Sequence, residues 1–451
     1  MIRDARDVAH STNSALAVQH YETALVQFQS YRGDALATLD AAIAADPSFV
    51  SAHLFKAFVL YTLTERKFVP DAVAALDAAR AHAAIMTPRE RLLLAAGDQL
   101  VGYEWDAACR TFDAVLADHP RDAVALQTAH LMDFARGDAL NLRNRIARVL
   151  PHWSAQVPGH SYVLGMLAFG LEECNQYPEA ERTARRALDI EPKDGWSVHA
   201  ATHVMEMQGR IDEGIDWLQS REQDWAPDNG FAFHNWWHLA LFHLDRGDID
   251  RVLDLYDTAV HPEPAVFALA LVDATALLWR LTLEGVDVGD RWESVAANWE
   301  QRLDVERGHY AFNDLHAMLA FAAAGRAAAA GRLQLDLQTT ALEGRASAGM
   351  MAREIGLPLA LGIRAYARQD FDAAVDLIQS TRDRAHRFGG SHAQRDLLSL
   401  TLIDAARRAG HPRLARHVLA ERAVLKPTAW SDRLARRIDA GDAGSDQPAA
   451  A

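Results

Sequence analysis

Apolar residues recur along this chain at the three-to-four-residue spacing of amphipathic helices, and prolines interrupt the apolar runs. This pattern predicts an all-helical chain, because proline lacks a backbone N–H and ends a helix. A half-motif of a small residue, a bulky apolar residue and a proline occurs four times, at Ala108/Phe112/Pro120, Ala180/Ala184/Pro192, Val252/Tyr256/Pro264 and Ala415/Leu419/Pro427. The second occurrence is weaker, because Ala184 stands at the bulky position. In paired helices the small residue permits close approach, the bulky residue fills the groove, and proline ends the second helix.

The spacing of these prolines sets the repeat length. Pro120, Pro192 and Pro264 follow one another at 72 residues, and Pro47 lies 73 residues before Pro120. Each interval accommodates two helix pairs of about 36 residues, close to the tetratricopeptide period. The sequence therefore predicts an all-α fold, a right-handed α-solenoid (superhelix) of tetratricopeptide-like helix pairs. No linker divides residues 1–440, which we expect to form a single solenoid, and the small, polar residues 441–451 are predicted to be a disordered tail.

One repeat, residues 228–264, carries more than a scaffold needs. Its tetratricopeptide positions are held by Trp236, Leu239, Ala240, Val252, Tyr256 and Pro264. The same two helical turns also contain His234, Trp237 and His238, which the repeat pattern does not require. We therefore expect Trp236 to be structural and the additional residues to serve a site.

The composition argues against two classes of partner and indicates a cellular location. The formal charge of −15, without a basic cluster, argues against nucleic acid, whose phosphates need a basic face. Only two cysteines occur, Cys109 and Cys174, which favours a reducing cytoplasmic location. The beginning of the chain lacks the apolar run of a signal peptide, and no stretch is long and apolar enough to span a membrane. We expect a cytoplasmic protein with no nucleic-acid or membrane partner.

Helical periodicity then predicts which side chains line the concave groove. In the 228–264 repeat these are His234 and Trp237, with His238 beside them. When Gly209 is aligned with Gly247, the equivalent positions of the preceding repeat are Trp196, His199, His203 and Glu206. We expect the two histidine pairs to converge on one pocket, bordered by Glu206 and Asp314 and walled by Trp237.

The chain resembles the tetratricopeptide repeat protein 38 family from about Asp34 to Arg437. The resemblance rests on residues 194–199 with His203 and 206–207, and on residues 234–238, 312–316, 353–358 and 389–396. Two positions depart from the family pattern: His392 stands where the family has Asn, and Glu354 where it has Asp. The resemblance implies the repeat fold and a set of site positions, but no established reaction.

Three chemistries are open to these positions. His199, His203 and Glu206 share one helix face, and His234 and His238 repeat the geometry, so zinc or another divalent metal ion is the candidate cofactor, with the four histidines as ligands. Without a metal, histidine and carboxylate groups can act as general acids and bases. In a third interpretation these residues form a structural polar network that clamps adjacent repeats. The predicted catalytic set is His199, His203, Glu206, His234, His238, Asp314 and His316. The predicted substrate-binding set is Trp196, Trp237, Asn313, Gln394, Arg395 and Asp396, with Arg395 as an anion clamp.

Two functions from different classes follow from the sequence. In the first, the pocket binds a small polar ligand or a metal ion and catalyses a hydrolytic or acid–base reaction. In the alternative, the groove binds a peptide or a partner helix as a protein-interaction scaffold. Imidazole, carboxylate and indole concentrated in adjacent repeats suit a compact ligand better than an extended peptide. The sequence therefore favours the first function.

Overall fold

The computed structural model describes residues 1–306, 308–344 and 346–439. The predicted disordered tail, residues 441–451, lies outside the described residues. The described chain divides into two compact units, one of residues 1–204 with 221–232 and one of residues 205–220 with 233 onward. The expectations of a single solenoid and of a right-handed superhelix stay predictions.

The first unit begins with a short β-hairpin and continues as helices that pack on their neighbours in sequence. Its strands are β1 (Ile2–Arg3) and β2 (Ala9–His10), paired antiparallel. Its helices are α1 (Ala15–Ser30), α2 (Ala35–Ala45), α3 (Val50–Thr62), α4 (Val69–Ala81), α5 (Pro88–Val101), α6 (Trp105–Asp118), α7 (Ala123–Ala135), α8 (Ala139–Val149), α9 (His160–Glu173), α10 (Tyr177–Ile190) and α11 (Gly195–Met207, of which residues 205–207 belong to the second unit). The second unit's α12 (Ile211–Ser220) comes next in the chain, and the first unit then resumes with the short α13 (Glu222–Trp225).

All regular secondary structure among the described residues of the second unit is helical. Its helices are α12 (Ile211–Ser220), α14 (Ala232–Arg246), α15 (Ile249–Leu255), α16 (Ala268–Leu283), α17 (Arg291–Glu306), α18 (Ala311–Ala323), α19 (Ala327–Glu343), α20 (Ala346–Met351), α21 (Leu357–Ala367), α22 (Phe371–Arg382), α23 (His392–Arg408), α24 (Pro412–Leu425) and α25 (Ala429–Asp439). A single π-helical turn extends α15 (Tyr256–Val260), and another joins α20 to α21 (Ala352–Gly356).

The prolines end helices where the sequence predicts. Helix α2 ends before Pro47, α6 before Pro120 and α10 before Pro192, and in each case the next helix begins within four residues of the proline. Proline cannot donate the backbone hydrogen bond that continues a helix, so each one falls in the loop between two helices. The prediction of an all-α repeat fold of tetratricopeptide-like helix pairs is confirmed.

The cores of the pairs use small residues for close approach. Ala108 and Phe112 on α6 are fully buried, and the Phe112 ring meets Phe58 edge to face at 5.3 Å between ring centroids. At Gly170 on α9, an added Cβ would lie 2.5 Å from the backbone of Leu142 on α8. Residue 170 must therefore lack a side chain for α9 to pack against α8 as it does.

The described residues include both cysteines and the helices that could be tested for membrane-spanning character. Within them, no helix combines the length and the apolar character needed to cross a membrane. Both cysteines are free thiols, and burial raises the pKa of the Cys109 thiol. A thiol that is buried and protonated behaves as a small apolar side chain.

Candidate functional site

In the first unit, α11 positions Trp196, His199 and His203. The helix begins after Asp194, whose Oδ1 accepts hydrogen bonds from the backbone N–H groups of Trp196 and Ser197, both at 3.1 Å. Its other oxygen, Oδ2, accepts from the Ser197 hydroxyl at 2.6 Å. A side chain that satisfies these first amide groups fixes where the helix starts. The register of the two histidines is set in this way.

The three predicted residues of α11 lie together in an aromatic cluster. His199 and His203 are 2% and 0% exposed, and their ring centroids are 4.4 Å apart in an edge-to-face arrangement. The Trp196 ring lies 5.0 Å from His199, and Phe169 on α9 lies 5.4 Å from each imidazole. Both histidines are therefore interior groups.

Two acidic residues at the end of α9 join this cluster. Glu172 and Glu173 are buried, and the Nδ1 of His203 lies 3.5 Å from Oε2 of Glu172. Glu172, Glu173 and His203 each offer one ligand atom, and these atoms lie within 4.8 Å of one another. Neither glutamate is in the sequence-predicted site. The sequence feature that indicates them is the acidic pair at the end of the mainly apolar helix α9, because carboxylates are rarely fully buried unless they are paired.

In the second unit, α14 positions His234, Trp237 and His238. The Nδ1 of His234 lies 2.6 Å from Oδ2 of Asp273, and the Nδ1 of His238 lies 2.7 Å from Oε2 of Glu206. An ionised carboxylate can only accept a hydrogen bond, so each Nδ1 is the donor and each proton sits on that nitrogen. Burial lowers the pKa of His238, and the nearby Glu206 carboxylate partly opposes this effect.

Glu206 is held on its other side by a lysine. Oε1 of Glu206 accepts from Nζ of Lys426 at 2.6 Å, and Oδ2 of Asp245 lies 3.7 Å from the same ammonium group. The buried chain Lys426–Glu206–His238 therefore connects three side chains through two short hydrogen bonds. Burial alone would lower the pKa of Lys426, but the nearby acids Glu206, Asp245 and Asp396 outweigh this effect and raise it. The sequence did not predict the lysine, which lies 220 residues from its partner.

Trp237 is fully buried beside His234. Its ring stacks on the His234 imidazole at 5.2 Å, and the guanidinium carbon of Arg280 lies 5.5 Å from the centre of the ring. Arg280 donates to the carbonyl oxygens of Ala393 at 2.6 Å and Ala276 at 3.0 Å. These contacts fix the indole, which in turn restricts the orientation of His234.

Helix α18 carries the other predicted catalytic residues of the second unit. Asn313 and Asp314 line one small cleft together with Trp299. The buried His316 has its Nδ1 2.8 Å from the carbonyl oxygen of Phe312. Burial lowers the pKa of His316 to about 4, so this imidazole is neutral at physiological pH.

The predicted substrate-binding residues of α23, Gln394, Arg395 and Asp396, make hydrogen bonds within the protein. Ser391 is the N-cap, and Gln394 closes a capping box in which each side chain bonds the backbone N–H of the other residue, at 3.0 and 3.2 Å. Arg395 donates to the carbonyl oxygen of Gly390. Asp396 accepts two hydrogen bonds from Arg422, at 2.7 and 2.8 Å. These contacts order the start of α23.

The structure thus brings the predicted residues together in groups within each unit. In the first unit these are Trp196, His199 and His203; in the second they are His234, Trp237, His238 and Glu206, and separately Asn313 and Asp314. Convergence of the two histidine pairs on one pocket stays a prediction.

Two clefts lined by described residues are narrow. One, in the first unit, lies between Gln29, Gln127, His130 and Trp196; the other, in the second unit, is the Asp314 cleft. Each has room for roughly one or two water molecules. Neither offers a preformed cavity for a larger compact ligand.

No protein-family model matches the chain. Among solved structures it is similar to the human IFIT1 dimer with m7Gppp-AAAA, at 11% identity and a TM-score of 0.44, over 92% of this chain and 95% of that one. It is also similar to yeast Tom70, at 11% identity and a TM-score of 0.34, over 94% and 88% of the two chains. The tetratricopeptide-repeat domain of P58(IPK) matches at 13% identity and a TM-score of 0.22, over 87% and 98%.

These likenesses are too distant to carry an inference about function. The tetratricopeptide-like helix pairs are a property of the structure itself, and membership of the protein 38 family stays a prediction.

Proposed function

We propose that this helical-repeat protein binds a divalent transition-metal ion through its buried histidines. The carrying observation, in the second unit, is that Nδ1 of His234 and of His238 each lies beside a buried carboxylate oxygen, at 2.6 and 2.7 Å. Metal-binding histidines typically donate one ring N–H to a carboxylate and bind the metal through the other nitrogen. In this proposal Nε2 is the ligand atom.

The protonation state of the rings supports this proposal. A histidine must be neutral at its ligand nitrogen to bind a metal ion, and burial lowers the pKa of His238. The carboxylates of Asp273 and Glu206 fix which nitrogen carries the proton, and Lys426 fixes Glu206. The three residues would orient the ligands without touching the metal.

The first unit supports the proposal with a mixed donor set. Glu172, Glu173 and His203 supply two oxygen donors and one nitrogen donor within 4.8 Å of one another. Such a set suits zinc, manganese or iron. A divalent cation there would also offset the repulsion between two buried carboxylates, which is costly in a low-dielectric interior.

A bound divalent ion would act as a Lewis acid and lower the pKa of a coordinated water, which is the basis for the hydrolytic chemistry expected from the sequence. The protein's own contribution would be to hold the imidazoles rigidly and to exclude bulk water. The burial of His203 and His238, both 0% exposed, supplies that exclusion.

The test is metal analysis of the purified full-length protein after incubation with zinc, manganese, iron or cobalt and extensive dialysis. His234→Asn and His238→Asn are the informative variants, because an asparagine amide can replace Nδ1 as donor to the carboxylate while removing Nε2. The matched control is His411→Gln, which alters an exposed histidine whose Nε2 lies 2.6 Å from Asp372.

We expect at least one tightly held ion per wild-type chain, the same content in the control, and a reduced content in both asparagine variants. A metal-free wild-type protein, or equal metal content in all four proteins, would return the histidines to a structural role.

A second proposal is that the repeats bind a protein partner, and two observations favour it. The described clefts are too small for most compact ligands, and two leucines on α19, Leu335 and Leu342, are 62% and 86% exposed. They are seven residues apart, so they share one helix face and could receive an apolar partner helix.

The partner proposal is tested with the double variant Leu335→Lys/Leu342→Lys, compared with Leu140→Lys, which alters a leucine of α8 that is 61% exposed. A specific partner should be captured by wild type and by the Leu140 variant but lost from the double variant. Equal capture by all three proteins would exclude this face of α19.

A further inference from the structure

A cleft in the second unit is lined by acidic and aromatic side chains. Asp314 lines it from α18, and Trp299 and Glu306 line it from α17, with Tyr310 in the loop between these helices. Leu333 of α19 completes the apolar part of the lining. The residues that line this cleft are not those of the histidine groups, so binding here would be independent of the proposed metal binding.

Asp314 is a buried acid with no basic or imidazole side chain paired with it among the described residues. The residue is 5% exposed, and no donor among the described residues is hydrogen-bonded to its Oδ2. Burial raises the pKa of Asp314 well above its usual value, and the nearby acids Glu306 and Asp336 raise it further. By contrast, Asp273, Asp396 and Glu206 each have a basic or imidazole partner.

Burial and the two acidic neighbours both favour the protonated, uncharged form of Asp314 while the cleft holds no cation. An ionised carboxylate there is costly unless a cation or hydrogen-bond donor approaches it. On binding a cation, Asp314 would release its proton to the solvent, and the resulting carboxylate, together with the longer-range field of Glu306 and Asp336, would stabilise the cation.

The rest of the lining favours an organic cation. Trp299 and Tyr310 are 3% and 4% exposed, and aromatic rings attract ammonium groups through their negative faces. The Leu333 side chain offers an apolar contact for a carbon chain. A hydrated metal ion would gain little from indole, phenol and aliphatic groups, because such ions prefer oxygen and nitrogen ligands.

Arg302 also lines the cleft, but its guanidinium is engaged elsewhere. It donates to the carbonyl oxygens of Ala265 at 2.6 Å and Val266 at 2.9 Å, and to the side chain of Asn298 at 3.1 Å. These bonds hold the guanidinium against the loop before α16. Because Arg302 is held in these hydrogen bonds, the charged residue that we assign to ligand binding is Asp314.

The size of the cleft selects among organic cations. Its free space accommodates roughly one or two water molecules. A primary ammonium group is about as large as a water molecule, whereas a quaternary ammonium group is several times larger. We propose that the Asp314 cleft binds the primary ammonium group of an alkylamine-type ligand, with Asp314 as hydrogen-bond acceptor and Trp299 and Tyr310 beside the ammonium head.

The test uses the full-length protein and n-butylammonium chloride as the probe, measured by isothermal titration calorimetry at constant ionic strength. Tetramethylammonium chloride tests the size limit, and sodium acetate tests whether Arg302 instead binds an anion. Asp314→Asn is the informative variant, because the amide is nearly isosteric but uncharged. Asp250→Asn, at an exposed position on α15, is the matched control.

We expect wild type and the Asp250 variant to bind n-butylammonium equally and Asp314→Asn to bind it at least about tenfold more weakly, since a hydrogen bond to a charged group is lost. Ala317→Leu, which narrows the cleft without changing its charge, should also weaken binding. A folded Ala317→Leu protein therefore keeps the proposal testable if Asp314→Asn does not fold.

Three outcomes would overturn the proposal. The first is no heat of binding with wild type; the second is equal binding by wild type, Asp314→Asn and Ala317→Leu. The third is preferential binding of tetramethylammonium or acetate, which would assign a different ligand class to the cleft.

Discussion

Replacing Lys426 by methionine should strongly destabilise the second unit. The Lys426 ammonium group is 4% exposed, lies 2.6 Å from Glu206 and 3.7 Å from Asp245, and both acids are almost completely buried. Methionine fills a similar volume but carries no charge, so two buried carboxylates lose their shared cation. Removing one partner of a buried ion pair costs about 3–5 kcal/mol because an uncompensated charge remains.

The expected loss can be read by calorimetry. For a unit of this size each kcal/mol shifts the midpoint by about 2–4 °C, so the unfolding transition should fall by about 6–20 °C. Lys426→Met/Glu206→Gln should recover part of the loss, because Glu206 is then neutral. Lys56→Met is the control: its ion pair with Asp40 at 2.5 Å is partly exposed, and such pairs contribute only about 0–1 kcal/mol.

A loss below about 1 kcal/mol for Lys426→Met would contradict this prediction, because the free-energy cost would then equal that of the exposed Lys56–Asp40 pair instead of a buried ion pair. A double variant that is less stable than Lys426→Met would refute it as well. Either result would mean that the Lys426–Glu206–His238 chain does not exist in solution as described.

Further predictions concern Asp194 and Gly209. Burial raises the pKa of Asp194 to about 6 from 3.8, so the folded state favours the protonated acid; its stabilising effect is complete below pH 3.8 and is lost as the pH rises towards 6. Asp194→Asn should therefore gain about 2 kcal/mol relative to wild type between pH 4 and pH 7 in urea unfolding, and a constant difference would contradict this. Gly209 has φ +67°, and an added Cβ would lie 1.9 Å from the carbonyl oxygen of Pro427, whereas Gly325 has φ +66° and open space. Gly325→Ala should cost about 1 kcal/mol and Gly209→Ala clearly more, and equal denaturation midpoints would show that the Pro427 contact is absent.

The sequence predicts the helices well because their limits are local. Proline at 47, 120 and 192 ends helices whatever packs around it, and the half-motif residues Ala108 and Phe112 lie in the core as expected. Periodicity also placed His199 and His203 on one helix face and His234 and His238 on another.

The partners of the histidines could not be predicted in the same way. Asp273 lies 39 residues from His234, and Lys426 lies 220 residues from Glu206. Which acid faces which imidazole depends on how helices pack, and helical periodicity only specifies which face is buried. For the same reason the sequence predicted Trp237 as a groove wall but did not predict its contact with Arg280.

X-ray absorption spectroscopy of the zinc-reconstituted full-length protein would identify the atoms that bind the metal ion. If the buried histidines bind the metal, the first shell should contain nitrogen and oxygen at about 2.0–2.1 Å, with the outer-shell scattering of imidazole rings. The imidazole contribution should decrease in His238→Asn and remain unchanged in His411→Gln. A sulfur shell at about 2.3 Å, from Cys109 or Cys174, or an oxygen-only shell without imidazole scattering, would contradict metal binding by the histidines.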